Sequence, residues 1–242
     1  MVISTEVPLR QKHPMSASIL IQDELEIPAG FDTLDEFRHW TESDEFPDTG
    51  RIDFIQGRVE IDMSPDNLFF HSAPKSEIGR VIGNRLKSTN LGQVFVDKSR
   101  ISVPHAQLSV EPDIVFVSDA SIISGRVQLV PTAGGQSGSY IEFEGPPDLV
   151  VEVVSDSSRT KDTQRLFAAY FEAGVSEYWL VDARSTELRF QIHIRGTDSF
   201  VPVAINAAGY QLSPALGATY RLDRSTRPTG HWDYELREAA IA

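Results

Sequence analysis

The chain has no cysteine among its 242 residues, which excludes a disulfide framework and any thiolate metal centre. It is short of positive charge: 22 Lys and Arg stand against 35 Asp and Glu, a formal net charge of −13. So acidic a surface repels phosphate backbones and argues against broad nucleic-acid binding, although a local basic groove or a bound cation reverses the field over a short range. Long apolar runs are missing too. None approaches the ~18 residues of a membrane helix, and no basic segment followed by a hydrophobic one opens the chain, so neither a span nor a secretory leader is expected. These absences fit a cytoplasmic protein. No Gly-rich phosphate loop, HxxxH histidine pair or Ser-His-Asp order appears.

What is present is a chain of globular composition, 40% hydrophobic and 24% charged, long enough for one domain with decorations. Its central stretch is residues 147–182. It begins with a nearly unbroken apolar run, Leu149 to Val154, interrupted by Glu152. Such a run reads as a buried central strand. A carboxylate there costs several kcal/mol unless it is paired, hydrogen-bonded or bound to a metal. Small polar residues break the strand at 155–159. A helix is expected from Lys161 to Ala173, stopped by Gly174, and then a strand at 177–182 completes a strand–helix–strand unit.

The rest of the chain is arranged around this unit. Residues 1–30, with Pro8, Pro14 and Pro28, read as a loosely ordered arm. Leu34, Phe37 and Trp40 recur at helical spacing, and 51–63 reads as a hairpin turning at Gln56-Gly57. A second helix over 68–87 carries Ile78, Val81, Ile82 and Leu86 on one side. Residues 109–117 (SVEPDIVFV) read as a strand like the central one, with Pro112 just before Asp113. A Gly/Ser-rich insertion at 120–146 is expected to form a surface β-hairpin, and antiparallel strands follow at 187–194 and 200–205. The domain is expected to span 31–223, with 224–242 as a C-terminal tail.

Two acids, Asp113 and Glu152, thus interrupt apolar strands. Carboxylates converging from adjacent strands form a hard-oxygen site suited to Mg²⁺ or Mn²⁺. Such an ion can stabilise charge developing on a phosphodiester oxygen. Pro112-Asp113 followed by Glu152 in a strand resembles the PD-(D/E)XK nuclease superfamily. The longer string PDLVVEVVSDSSRTKD, with Tyr170, Gly174-Val175 and Glu177-Tyr178-Trp179, resembles its bacterial restriction-endonuclease branch of the Uma-two type. Asp53-Phe54-Ile55-Gln56-Gly57, Met63-Ser64-Pro65 and His71 resemble upstream parts of the same pattern, so the resemblance covers about residues 50–195.

The resemblance implies an α/β fold of the restriction-endonuclease type, a mixed central sheet flanked by helices with added β-hairpins. It implies metal-dependent hydrolysis of DNA by a protein that often works as a homodimer, with Asp113 and Glu152 as metal ligands. The chain departs from the pattern at the catalytic lysine. The superfamily position two residues after the Glu is Val154, and the position this branch uses instead is Leu166. Lys161 is the available substitute, in the first helical turn and able to reach back towards Glu152, with Arg165 on the same helix face. Asp53 reads either as a third metal ligand or as a hairpin acid paired with Arg51 or Arg58. His71 reads as structural or substrate-positioning. The missing lysine and the −13 charge leave a second reading open, a catalytically idle nuclease fold serving as a binding or assembly module. A basic patch of Arg80, Arg85, Lys87, Lys98 and Arg100 near the acids would favour nucleic acid.

Overall fold

The computed structural model describes residues 18–21, 25–28, 33–156 and 161–241. Most of the expected N-terminal arm, and residues 157–159 of the polar break after the central strand, lie outside these. Within the arm's span two short strands, β1 (Ser18–Ile21) and β2 (Leu25–Pro28), pair antiparallel. Helix α1 (Leu34–Thr41) starts at Thr33, which caps the Glu36 N–H while the Glu36 carboxylate accepts from the Thr33 N–H at 3.1 Å. This reciprocal box satisfies two donors that the first helical turn leaves over. Strands β3 (Arg51–Ile55) and β4 (Arg58–Asp62) form the expected hairpin. Gln56 and Gly57 take positive φ, 48° and 81°, the twist that a two-residue hairpin loop requires.

The second helix begins as a π-helical turn, Leu68–Ser72, and continues as α2 (Ala73–Thr89). Strands β5 (Gly92–Val96), β6 (Arg100–Val103), β7 (Leu108–Val110) and β8 (Ile114–Ser118) follow. The strand expected over 109–117 is therefore two strands, and they belong to different sheets. Pro112 cannot donate to a ladder, and the chain crosses between sheets there. Helix α3 (Asp119–Ile123) leads to β9 (Gln128–Pro131) and β10 (Tyr140–Glu144). Strand β11 (Leu149–Val153) carries Glu152; a π-helical turn, Lys161–Arg165, opens α4 (Leu166–Ala173), which ends at Gly174 with φ 94°. Strands β12 (Glu177–Asp182), β13 (Arg189–Arg195), β14 (Phe200–Pro202), β15 (Gln211–Ser213), β16 (Ala218–Thr226) and β17 (Trp232–Ala239) complete the chain.

One mixed sheet runs β14-β13-β12-β11-β8-β5, with β11 and β12 parallel and the other pairs antiparallel. A second runs β4-β3-β7-β6-β10-β9. The 120–146 insertion contributes its outer two strands, with β10 lying parallel to β6. A three-stranded sheet, β15-β16-β17, covers the far side.

Period-two alternation along β11 then decides what each face meets. Leu149, Val151 and Val153 pack with Ile78 and Ile82 of α2 and with Tyr220, Leu222, Tyr234 and Leu236 of β16 and β17. Val150 faces the other way, into a core shared with Leu166, Ala169 and Tyr170 of α4 and Ile101 and Val110 of the second sheet. Glu152 shares that second face. The expected start of a C-terminal tail at Arg224 falls inside β16, and the strands on either side of it pack into the core.

Candidate active site

Strand register brings the two acids together. Val151 pairs with Ile114 in the antiparallel β11–β8 ladder, so the next positions along it, Glu152 and Asp113, lie opposite each other. The Val153 N–H donates to Asp113 Oδ2 at 2.7 Å. Both acids are buried, Asp113 at 0% exposure and Glu152 at 1%. The β5–β8 ladder ends the same way: Val96 pairs with Ile114, and the Asp97 N–H then donates to the Asp113 carbonyl at 3.0 Å. The site therefore lies where β8, β11 and β5 end beside the edge of the second sheet.

Four side chains partner the acids. Arg51 Nη2 is 2.6 Å from Asp113 Oδ1, and its Nη1 is 3.9 Å from Glu152 Oε2. His71 places Nε2 3.3 Å from Asp113 Oδ2 and Nδ1 3.1 Å from Asp66 Oδ2. Lys75, one helical turn on, reaches Asp97 at 2.7 Å, Asp66 at 3.0 Å and Asp113 at 3.7 Å. From α4, the Tyr170 hydroxyl donates to Glu152 Oε1 at 2.7 Å. Glu152 Oε2 is buried without a hydrogen-bond partner among the described residues.

These partners divide the pair electrostatically. Burial works to raise the Asp113 carboxyl, but Arg51, His71 and Lys75 outweigh it and hold it well below the usual carboxylate range. Burial pushes Glu152 well above that range, and the charges of Asp113 and Asp162 push it further, against Arg51 and Tyr170. The surroundings thus favour the ionised form of Asp113 and the protonated form of Glu152.

Lys161 lies in the expected place but faces a different acid. Its ammonium pairs with Asp53, not Glu152. The π-helical turn points Lys161 at β3, where Asp53 also accepts from the Glu111 N–H at 3.0 Å. Burial opposes the charge on Lys161, but Asp53 outweighs it and raises the pKa above the ordinary lysine value. Lys161 is thus a fixed donor and not a proton acceptor. The pairing of Asp53 with Arg51 or Arg58 does not form. Arg51 turns to Asp113, and Arg165 pairs with Glu60 at 2.8 Å.

The basic patch does not gather. Arg80 pairs with Glu77, Arg85 binds Glu238 and the Leu216 and Gly217 carbonyls, and Arg100 is buried against Glu111. Lys98 alone of the five lines a cleft of about 340 Å³ that reaches the acids' partners Arg51 and His71, and whose wall also includes Asp62, Asp66, Asp97 and Glu111. The sequence reading missed Arg51 and Lys75 as partners of Asp113, and it assigned Tyr170 no bond to Glu152, to which its hydroxyl donates from within the core. No local pattern marks an ion pair across 62 residues. For Lys75 the i+4 spacing from His71 on one helix face was the available signal.

Among the described residues, no group of three or more His, Asp or Glu side chains is arranged to hold a metal ion. The donor chemistry still suits a hard cation: two buried carboxylates face each other, one with an oxygen lacking a hydrogen-bond partner among the described residues. No helix of the described residues is long and apolar enough to cross a membrane.

With this arrangement in view, residues 34–223 match the Uma2 family model, described as putative restriction endonuclease. The chain belongs to that family. A crystal structure from Anabaena variabilis ATCC 29413, of a putative nuclease belonging to DUF820, is similar to it at 21% identity. That likeness covers 75% of this chain and 94% of the other, with a TM-score of 0.46. No curated protein sequence matches the chain.

Proposed function

We propose that this protein is a metal-dependent endonuclease that hydrolyses DNA phosphodiester bonds. The observation that carries the reading is the register that sets Glu152 opposite Asp113, both buried, with the cleft lined by Arg51 and His71 next to them. Asp113 and Glu152 would hold Mg²⁺ or Mn²⁺, and the ion would supply charge to offset that developing on the scissile phosphate. The excess of acids in the cleft makes such a counter-charge necessary for any polyanion to approach.

The chain's own groups then divide the work. Lys161, held protonated by Asp53, orients a water or a phosphate oxygen. His71 fixes Asp113 and positions substrate at the cleft wall. Tyr170 aims Glu152. Residues 31–223 form the catalytic unit in this reading, acting in the cytoplasm and pairing as a homodimer to reach both strands. One observation favours a second reading, an idle nuclease fold kept for binding: Val154 and Leu166 stand at the two lysine positions.

Incubating supercoiled plasmid and single-stranded DNA with Mg²⁺ or Mn²⁺, and in parallel with chelator, separates the two. The nuclease reading expects cation-dependent cutting that Asp113→Asn abolishes and Lys161→Ala lowers at least about a hundredfold. Intact DNA in every lane, with no Mn²⁺ binding by calorimetry, would transfer the assignment to the binding module.

A further inference from the structure

Arg51 is the cation the two acids already hold. Its guanidinium lies 2.6 Å from Asp113 Oδ1 and 3.9 Å from Glu152 Oε2, the oxygen with no hydrogen-bond partner among the described residues. The other three carboxylate oxygens are committed. Asp113 Oδ2 accepts from the Val153 N–H and faces His71, Glu152 Oε1 accepts from Tyr170, and Asp113 Oδ1 is Arg51's own partner. The guanidinium thus sits where an ion bridging the acids would sit. A Mg²⁺ ion coordinates carboxylate oxygens at about 2.1 Å and demands near-octahedral geometry, so it cannot share that space.

We propose that Arg51 is an intrinsic counter-cation in the divalent-ion position, and that an ion binds Asp113 and Glu152 only by displacing it. The proposal rests on the metal-dependent reading above and adds a competitor inside the site. Lys75 does not fill this role: it lies 3.7 Å from Asp113, is engaged by Asp66 and Asp97, and reaches no oxygen of Glu152.

A route out exists. Arg51 is the first residue of β3 and its side chain is 23% exposed. It follows Gly50, whose φ of 82° turns the chain there. Asp62 is its partner in the β3–β4 ladder, and Asp62 and Asp66 line the same cleft wall. A rotamer change carries the guanidinium from the acids to that wall. Arginine does not lose its proton in proteins, so displacement and not titration clears the position.

The test is Mn²⁺ binding by isothermal calorimetry to the full chain as wild type, Arg51→Gln, Arg51→Lys and Asp113→Asn. Removing the competing charge is expected to tighten Mn²⁺ binding at least about tenfold in Arg51→Gln. Arg51→Lys, too short to bridge both acids, should fall between. Equal or weaker binding by Arg51→Gln, where wild type binds and Asp113→Asn does not, overturns the role of Arg51 and leaves the metal site standing. No binding by any variant overturns both. Should Arg51→Gln fail to fold, the arginine Nε–H resonances of wild type titrated with Mg²⁺ decide: the Arg51 signal should move as the ion saturates, and a static signal at saturation overturns the proposal.

Discussion

The Tyr170 hydroxyl, on α4, donates to Glu152 Oε1, on β11, at 2.7 Å, inside a core where both residues are at most 1% exposed. This bond ties the helix of the strand–helix–strand unit to the acid on its first strand. Tyr170→Phe strands that oxygen and is expected to cost about 1–3 kcal/mol in urea denaturation with chelator present. Unchanged stability would mean that Glu152 is satisfied elsewhere. Glu152→Gln works in the opposite direction. It mimics the protonated carboxyl that burial and Asp113 favour, so at neutral pH without metal it should be at least as stable as wild type. The same substitution should abolish Mn²⁺ binding.

Lys161 and Asp53 form a buried pair with side chains 7% and 1% exposed. Removing either partner leaves an uncompensated charge, so Lys161→Met and Asp53→Leu should each cost about 3–5 kcal/mol. The double variant should lose far less than the sum. Additive losses in a double-mutant cycle would show that the two side chains act independently.

Strand β17 reads from the sequence as a tail, yet Tyr234 and Leu236 are 7% and 3% exposed and pack against α2 and β11. Leu236→Ala is expected to cost about 2–4 kcal/mol by leaving a cavity. A chain ending at Asp223 should lose its cooperative melt, and a sharp melt from that truncation would contradict the packing.

His193 faces Phe167 and Tyr178 at ring-centroid distances of 5.1 and 6.1 Å. Burial lowers its pKa below the ordinary value, against the backbone contacts of Tyr178 and Gln191. The unfolded chain therefore takes up the proton first. The stabilising contribution is complete above about pH 6.5 and declines as pH falls from there towards the lower folded value. Thermal melts of wild type and His193→Phe between pH 8 and 5.5 should diverge on the acid side, with the variant losing less. Parallel slopes would assign the acid loss to other groups.

Much of this was legible in the sequence. The Gln56-Gly57 turn, the buried run around Glu152 and the Gly174 stop are local signals, and each stands where its chemistry requires. Asp113 was legible as an acid beside an apolar run, but its strand was not: 109–117 reads as one strand, and Pro112 inside it in fact divides two sheets. The π-helical turns at 68–72 and 161–165 leave no periodic mark. The second of them turns Lys161 from Glu152 towards Asp53. Ion pairs between distant segments were the least legible, because Arg51 has several acids within reach in sequence and only the fold selects among them.

The partners Lys161 and Asp53 lie 108 residues apart in the chain. During synthesis, everything that packs around Asp53 from its own half of the molecule is made well before the ammonium that neutralises it. A chain that stops short of residue 161 therefore carries the Asp53 carboxylate without its ammonium, so full burial of that end of the second sheet should require the strand–helix–strand unit.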